Sequence, residues 1–393
     1  MSLPNWSAIL DAPGPGKPPY QNLSNAVRVL QHDPQWTAAR LWYDEFADRV
    51  MCAASAAREW RDDDDVALTV YMQETTGLDR LPKAMVRDAV SYVARQRPRH
   101  PVRDWLQSLT WDRIDRIDHA FEDGWGVTCD SAQPCEYVRA ASKNFFLGLV
   151  ARVMQPGCKL DTMPVFEGAQ GIQKSSALDC LGGSWYAAVD EAVGTKDFLQ
   201  VLRGKWLIEI AELQAFSRAE HAHVKSMLAR RIDTYRPSYG VRSVDLPRQC
   251  AFAGTTNRED WSIDDTGDRR FWPIRCGQIA LDVVDHGREQ WFAEATTCVT
   301  QGASWWHMPA TTTQVQAERL PEHAWTPLVL DGLVLQTETT MTEVLTRILG
   351  IDKANISRTA QNDVGSILRR AGWVSKAVWR NGTAQRRWIA PSS

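Results

Sequence analysis

The sequence predicts an α/β protein: a parallel sheet flanked by helices, preceded by a helical region and followed by a small winged-helix-like domain. Between about residues 160 and 275, short apolar runs alternate with helical stretches, which is typical of a parallel α/β layer. From about 24 to 122, apolar residues recur every three or four positions, which predicts helices. The C-terminal segment places two or three short helices before two strands that flank Asn381 and Gly382, as in a winged helix.

Length and composition agree with several folded domains. The chain has 393 residues, of which 44% are apolar and 24% are charged, so disordered and fibrous classes are excluded. We expect an irregular lead-in over 1–22, a helical N-terminal region over 23–130, an α/β core over 131–320 and the winged-helix-like domain over 321–393. The four adjacent acids Asp62 to Asp65 are expected to begin a helix rather than to hold a metal.

No membrane or disulfide signal stands out. No stretch approaches the roughly 18 apolar residues of a membrane span, and the N terminus lacks a basic segment followed by an apolar one. We therefore expect a cytoplasmic protein with no membrane partner. The eight cysteines show no spacing typical of metal or disulfide sites, so we expect them to be reduced.

A glycine-rich turn follows the predicted strand MPVF and precedes a helix. The run GAQGIQKSS is close to the phosphate-binding pattern G-x-x-x-x-G-K-[ST], although Gln173 stands where the strict pattern has glycine. In that pattern, backbone N–H groups bind phosphate, Lys174 reaches the β- and γ-phosphates and Ser175 binds Mg²⁺. A plain turn is the alternative. The candidate ATP-binding residues are Gly168, Ala169, Gln170, Gly171, Ile172, Gln173, Lys174, Ser175 and Ser176.

Polar side chains end the next two predicted strands. The strand in GKWLIEIAEL ends at Glu209 and Glu212, which we expect to hold Mg²⁺ and to orient the attacking water, respectively. The strand AFAGTT precedes Asn257, a candidate sensor of the γ-phosphate. A solvent-facing glutamate and an ordinary turn asparagine are the alternatives. ATP and Mg²⁺ are the expected cofactors.

Two arginines precede a further apolar strand in DDTGDRRFWPI. A guanidinium can neutralise the charge that develops on a γ-phosphate, so Arg269 and Arg270 are candidate catalytic residues. We expect at least one of them to act on the ATP of a neighbouring subunit. A surface salt bridge to a nearby aspartate is the alternative.

These motifs together carry a family resemblance. GAQGIQKSS, WLIEIAEL and AFAGTTN, followed by TGDRRFWPI, resemble the virulence-associated E (VapE) family of phage and prophage proteins, which is similar to the superfamily 3 helicases of the AAA+ class. The stretch that contains Asp233, Tyr235, Arg236, Tyr239 and Gly240 also resembles this family. The resemblance is strong over 160–275 and weaker over 20–155. It implies a P-loop NTPase core between the helical region and the winged-helix-like domain.

The resemblance also implies a function. We expect an ATP-dependent DNA helicase or translocase of a phage or mobile element in a bacterial host, which hydrolyses ATP at the subunit interfaces of a ring, most simply a hexamer. No primase domain precedes the core, so a separate primase is an expected partner. The alternative is a nucleotide-gated DNA-binding regulator or origin-binding switch with weak ATPase activity and no unwinding.

Two basic segments are candidate DNA-binding surfaces, because the net charge of −3 gives no overall attraction to DNA. Residues 225–248 resemble the stretch that, in superfamily 3 enzymes, includes a hairpin that grips single-stranded DNA in a central channel. Residues 353–393 contain the predicted winged helix, which we expect to bind duplex DNA. Subunit or protein contacts are the alternatives. The candidate residues are Lys225, Arg236, Tyr239, Arg242, Arg369, Arg370, Arg386 and Arg387.

Overall fold

A computed structural model describes most of the chain in ten ranges. These ranges are 4–53, 56–189, 194–213, 218–235, 243–258, 261, 268–317, 319, 323–380 and 383–391. Within them the chain forms an N-terminal region, a central region and a C-terminal region, each built around its own sheet. No helix in the described ranges is both long and apolar enough to cross a membrane.

The N-terminal region combines helices with a small sheet. Its helices are α1 (Trp6–Ile9), α2 (Leu23–His32), α3 (Asp62–Thr75), α4 (Lys83–Arg95), α5 (Pro101–Ser108) and α6 (Ala120–Trp125). Its strands are β1 (Leu41–Asp44), β2 (Arg49–Ala53), β3 (Ala57–Glu59) and β4 (Pro98–Arg99). The strand order is β3-β2-β1-β4. As predicted, the run of four aspartates begins a helix, α3, where the acids complement the helix dipole.

The prediction of a helix over ARLWYDEFADRVM is wrong. This segment forms the antiparallel pair β1 and β2. The turn between the strands is fixed by Asp44, whose carboxylate accepts hydrogen bonds from the backbone N–H groups of Phe46 (2.9 Å) and Ala47 (3.0 Å). Bonds of this kind compete with helix formation, and the aromatic residues of β1 favour a strand.

The central region is the predicted parallel sheet with helices. Its helices are α7 (Cys135–Met154), α8 (Lys174–Gly182), α9 (Lys196–Val201), α10 (Arg218–Leu228), α11 (Leu281–Thr300) and α12 (Thr312–Ala317). Its strands are β5 (Met163–Glu167), β6 (Tyr186–Val189), β7 (Leu207–Ile210), β8 (Ile232–Tyr235), β9 (Val244–Pro247), β10 (Ala251–Thr256) and β11 (Phe271–Arg275). Five strands pair in parallel in the order β11-β5-β10-β7-β6, whereas β8 and β9 form a separate antiparallel pair.

Two apolar clusters cover the two faces of the parallel sheet. Successive strand residues point to opposite faces, so Phe166 packs with α7 and α11 while Val165 packs with α9 and α10. The ring of Phe166 stacks on Trp125 at a centroid distance of 5.3 Å. Because the strands are parallel and central, their carboxyl ends open together on one edge, where ligands bind in sheets of this class.

The C-terminal region has its own core. Its helices are α13 (Thr326–Leu333), α14 (Met341–Glu343) and α15 (Arg358–Arg370), and α14 continues as a π-helical turn over Val344–Ile348. Its strands are β12 (Glu338–Thr339), β13 (Val374–Arg380) and β14 (Thr383–Ile389), which pair antiparallel in the order β12-β14-β13. The two predicted C-terminal strands are thus confirmed, and Asn381 and Gly382 lie outside the described residues.

The expectation that all cysteines are reduced is wrong for two of them. Cys129 and Cys135 form a disulfide with a Cα–Cα distance of 5.1 Å. A turn in which the N–H of Asp130 donates to the carbonyl of Gln133 brings the two together at the start of α7. The spacing of six residues gave no such signal in the sequence. The other six cysteines are free.

Candidate nucleotide-binding site

The turn between β5 and α8 has the backbone that a phosphate-binding loop requires. Gly168 and Gly171 have φ angles of 151° and 87°, which are rarely available to other residues. A Cβ on Gly168 would lie 2.6 Å from the side chain of Ile172. Gln173 has a φ of 73° and precedes α8, so it takes up the left-handed backbone that a glycine would otherwise supply.

Lys174 is the first residue of α8, and only 7% of it is exposed. Its ammonium donates hydrogen bonds to the carbonyls of Gly168 (2.6 Å) and Ala169 (2.9 Å) and to Oδ1 of Asn257 (3.1 Å). Burial lowers the pKa of Lys174 from its ordinary value. The lysine therefore lies inside the turn, next to the helix N-terminus, where an anion would be attracted.

Glu209, in β7, is fully buried and accepts three hydrogen bonds. Ser175 Oγ (2.7 Å) and Thr255 Oγ1 (2.6 Å) donate to Glu209 Oε1, and the hydroxyl of Tyr186 donates to Oε2. Burial and the bond to Glu209 raise the pKa of Tyr186. A serine hydroxyl beside a carboxylate is an oxygen donor set of the kind that Mg²⁺ prefers, so these residues fit the predicted metal.

Strand pairing explains why these distant residues meet. β10 lies between β5 and β7, with Ala253 opposite Glu209 and Thr256 opposite Glu167. Asn257, the next residue after β10, therefore lies beside the turn that follows β5. As a result, Asn257 contacts Lys174 although 83 residues separate them along the chain.

Glu212 lies on the same edge of the sheet, two residues beyond the end of β7. It is exposed, and its φ of 53° is also left-handed. No described residue forms a hydrogen bond with its carboxylate, so the structure places Glu212 near the site without linking it to the buried group around Glu209.

Arg269 and Arg270 lie at the other edge of the sheet. They belong to a short helical turn before β11, whose first residue, Phe271, pairs with Met163 at the start of β5. The turn around Lys174 follows the end of β5, about 13 Å further along the strand. Arg270 Nε lies 3.8 Å from the carboxylate of Asp161. Within one chain, neither arginine is therefore part of the site around Lys174.

A family model with the description virulence-associated protein E-like domain matches residues 106–323, more than half of the chain. The chain belongs to the virulence-associated protein E-like family. The matched residues include the whole site around Lys174 and both arginines. No curated protein sequence matches the chain.

Solved structures of the NrS-1 C-terminal region resemble this family member in fold. The A form apo structure of residues 305–718 is 11% identical, has a TM-score of 0.51 and is matched over 95% of this chain and 100% of that chain. A second apo structure of the same region is also 11% identical, with a TM-score of 0.49 over 89% of this chain and 96% of that chain. At this identity the likeness concerns the fold alone.

Three DNA-binding candidates of the core, Arg236, Tyr239 and Arg242, lie outside the described residues. The two strands that flank them, β8 and β9, pair antiparallel with Tyr235 opposite Val244. This is the arrangement of a hairpin stem. The hairpin that the family resemblance implies over 236–242 lies outside the described residues.

The structure does not favour the predicted DNA contact of Lys225. This residue is buried in α10, and its ammonium lies 5.8 Å from the ring centroid of Phe271. Arg248, which also contributes to the basic stretch, is buried as well and forms an ion pair with Asp233. Lys225 and Arg248, two of the basic residues in the segment 225–248, are therefore buried rather than exposed to DNA.

The C-terminal candidates differ in exposure. Arg369 and Arg370 are exposed at the end of α15, and Arg386 is exposed on β14. Arg387 is half-buried and forms ion pairs with Glu338 (3.3 Å) and Glu343 (3.9 Å). The basic surface is therefore formed by the first three arginines.

Sequence reasoning missed three residues. Trp379 is not among the DNA-binding candidates from the sequence, yet it is 75% exposed on β13. Thr255 and Tyr186 were not identified as partners of Glu209. Thr255 could have been found as a polar residue in an otherwise apolar strand, whereas Tyr186 depends on the pairing of β6 with β7, which no local pattern shows.

Proposed function

We propose that this chain is an ATP-dependent DNA translocase that acts in the replication of a phage or related mobile element. Family membership supports a phage context. The observation that carries the enzymatic part is the cluster at the carboxyl edge of the sheet, where Lys174, Ser175, Glu209 and Asn257 come together from three segments of the chain. A structural turn does not require a buried lysine, a buried carboxylate and a polar strand tip at the same place.

Each of these residues has a role that its position permits. The backbone of the turn and Lys174 would bind the β- and γ-phosphates of ATP, and Ser175 and Glu209 would hold Mg²⁺, which neutralises phosphate charge when bound. Exposed Glu212 would orient the water that attacks the γ-phosphorus as the bond to the β-γ bridging oxygen breaks. Asn257 already contacts Lys174 and would sense the γ-phosphate.

Arg269 and Arg270 would complete the site of a neighbouring subunit. Both lie at the edge of the sheet opposite to the turn around Lys174, so a ring in which this edge faces the neighbour's ATP gives them a catalytic role. We propose such a ring, most simply a hexamer.

Two parts of the chain would contact DNA. The hairpin that β8 and β9 begin would present Arg236, Tyr239 and Arg242 to a single strand in the central channel. The C-terminal region has the helix, strand and helix order of a winged helix, and its exposed arginines and Trp379 would contact duplex DNA.

ATP turnover by the purified full chain, with Mg²⁺ and single-stranded DNA, tests the proposal. We expect Lys174→Ala and Glu209→Gln to lower turnover by at least about 100-fold, because each removes a charge aimed at the phosphates or the metal. Lys83→Ala, at an exposed lysine in α4, is the control. A folded Lys174→Ala protein with wild-type turnover would refute the assignment.

The alternative is a nucleotide-gated DNA-binding switch that hydrolyses ATP slowly and unwinds nothing. The bonds of the Lys174 ammonium to two carbonyls of its own turn favour it, because ATP must displace them to bind. An unwinding assay on forked DNA separates the two functions, since only a translocase separates the strands.

A further inference from the structure

A cavity of about 970 Å³ lies at the edge of the sheet opposite to the turn around Lys174. Its volume is near the upper end of the roughly 300–1,000 Å³ that is usual for ligand sites. Its walls come from the segment between α7 and β5, from the residues just before β11, and from the segment between α11 and the end of α12. It is therefore separate from the ATP site of the same chain.

Positive charge dominates the walls of this cavity. Among the described residues that line it, the charged ones are the cations Lys159, Arg231, Arg269 and Arg270 and one acid, Asp161. Asp161 lies 3.8 Å from both Lys159 Nζ and Arg270 Nε, so one acid is shared between two cations. Arg231 and Arg269 are exposed. The cavity thus has more cationic side chains than the described residues neutralise, which suits an anionic ligand.

An aromatic side chain is held at the same cavity. Trp306 is 57% exposed, although an indole of this size is usually buried. Its neighbour Trp305 is buried and donates from Nε1 to the carbonyl of Lys159 (2.8 Å), which fixes this segment against the cationic wall. The rings of Trp305 and Trp306 meet edge to face at a centroid distance of 5.0 Å. Trp306 can therefore offer a fixed face to a planar ligand beside a positive charge.

Two donors at this cavity also lack hydrogen bonds. Arg270 Nε, which lies 3.8 Å from the carboxylate of Asp161, and Thr312 Oγ1 are buried atoms with no hydrogen-bond partner among the described residues. Buried polar groups are normally satisfied, so unpaired donors that line a cavity indicate a ligand with acceptor oxygens. Phosphate oxygens meet this requirement.

The form of the cavity favours a strand over a free nucleoside triphosphate. Among the described residues that line it, none is a glycine, so it lacks the glycine-rich backbone cradle that holds a triphosphate around Lys174. Its cations come instead from separate segments of the chain, as in grooves that follow a sugar–phosphate backbone. Arg269 and Arg270, which line the same cavity, are assigned above to the ATP of a neighbouring subunit. We propose that the rest of this cavity binds a nucleotide of a single-stranded DNA segment, with its base on Trp306 and its phosphates near Lys159 and Arg231.

The test is the affinity of the full chain for a fluorescent strand of 20 thymidine nucleotides, in the absence of ATP. Fluorescence anisotropy measures this affinity at several salt concentrations. Trp306→Ala should weaken binding about 5- to 150-fold, because stacking contributes roughly 1–3 kcal/mol per base. The same variant should bind an abasic strand as the wild type does. The double variant Lys159→Ala/Arg231→Ala should lower the slope of log K against log salt by about 1.4, that is, by two phosphate contacts.

Matched controls lie on α4, away from the cavity. Tyr92→Ala removes an aromatic residue that is 55% exposed, and Arg87→Ala removes an exposed arginine. Neither should change the affinity or the salt dependence. Circular dichroism and thermal unfolding confirm that each variant is folded.

Two results would overturn the proposal. One is wild-type affinity and salt slope in the folded Trp306→Ala and double variants. The other is that the same folded variants bind the strand as the wild type does but have a raised KM for ATP. That result would assign the cavity to the ATP site of a neighbouring subunit. Because strand binding is measured without ATP, the result does not depend on whether the chain hydrolyses ATP.

Discussion

Gln173 adopts the left-handed backbone conformation at the position where the strict phosphate-binding pattern has glycine. Its φ of 73° allows the chain to turn into α8 and leaves Lys174 inside the loop. A left-handed backbone costs a residue with a side chain about 1–2 kcal/mol, whereas glycine loses roughly 0.5–1 kcal/mol more conformational entropy on folding. The missing glycine therefore does not argue against a functional loop.

This reasoning predicts the effect of two substitutions at the same position. Gln173→Gly should raise the free energy of unfolding by up to about 1 kcal/mol and leave ATP turnover unchanged, because the backbone is already in the required conformation. Gln173→Val should destabilise the chain, since a β-branched residue tolerates this φ poorly. Thermal unfolding and turnover measure both effects. A strong rise in turnover for the glycine variant would show instead that glutamine impairs the loop.

Tyr186 is the partner of Glu209 that the sequence did not reveal, and we expect it to position the carboxylate for Mg²⁺. Tyr186→Phe keeps the ring and removes only the hydroxyl, so the Mg²⁺ concentration for half-maximal turnover should rise about 10- to 100-fold. The control is Tyr71→Phe, which removes a hydroxyl that donates to Asp33 in the N-terminal region. An unchanged Mg²⁺ dependence of turnover would show that the hydroxyl of Tyr186 does not position Glu209 and that the ring contributes only packing.

At the scale of elements, a buried ion pair joins the end of α12 to the strand below the phosphate-binding turn. Glu167, the last residue of β5, is fully buried and accepts hydrogen bonds from Arg319 Nε (3.1 Å) and Nη2 (3.0 Å) and from Trp261 Nε1 (2.7 Å). Arg319 lies two residues beyond α12, which lines the basic cavity. This pair therefore connects the two edges of the sheet.

Substitution of the buried Arg319 should lower the free energy of unfolding far more than substitution of an exposed arginine. Arg319→Ala leaves a buried carboxylate without its charge partner, and we expect the free energy of unfolding to fall by about 3–5 kcal/mol. Arg49→Ala breaks the exposed pair with Glu59 and should cost less than about 1 kcal/mol. Urea denaturation measures both. Equal changes in the free energy of unfolding would show that the pair of Arg319 and Glu167 stabilises the fold no more than a surface ion pair does.

The same elements show how far sequence reasoning extends. Local patterns predicted α8, β5, β7 and β10, because burial on one or both faces leaves a pattern within a few residues. It failed at β1 and β2, where the side chain of Asp44 fixes a turn inside an apolar segment. The pair of Glu167 and Arg319 spans 152 residues, and no local pattern could predict it.

At the scale of the whole molecule, the candidate catalytic residues lie on two edges of one sheet, so the proposed ATP site would need residues from two subunits. We expect the Arg269→Ala/Arg270→Ala variant to bind ATP but to hydrolyse it poorly. Mixed in equal amounts with Lys174→Ala subunits, it should recover about a quarter of wild-type turnover, because one interface in four then has both wild-type parts. No recovery in mixtures that exchange subunits would mean that the arginines act within one chain or are structural.

Variants of the proposed DNA-contacting residues, which are distinct from the proposed ATP site, can distinguish a translocase from a nucleotide-gated switch. Changing Arg236, Tyr239 and Arg242 to Ala should leave basal turnover intact but abolish its stimulation by single-stranded DNA, because along the chain these residues lie between the paired strands β8 and β9, where we propose the DNA contact, and not in the turn around Lys174. Changing Arg369, Arg370 and Arg386 to Ala should instead weaken duplex binding and lower its log–log salt slope by about 2.7, while stimulation by single strands remains. Both variants should unwind forked DNA more slowly than the wild type. A wild-type protein that binds DNA in a nucleotide-dependent way but never unwinds or translocates would establish the switch.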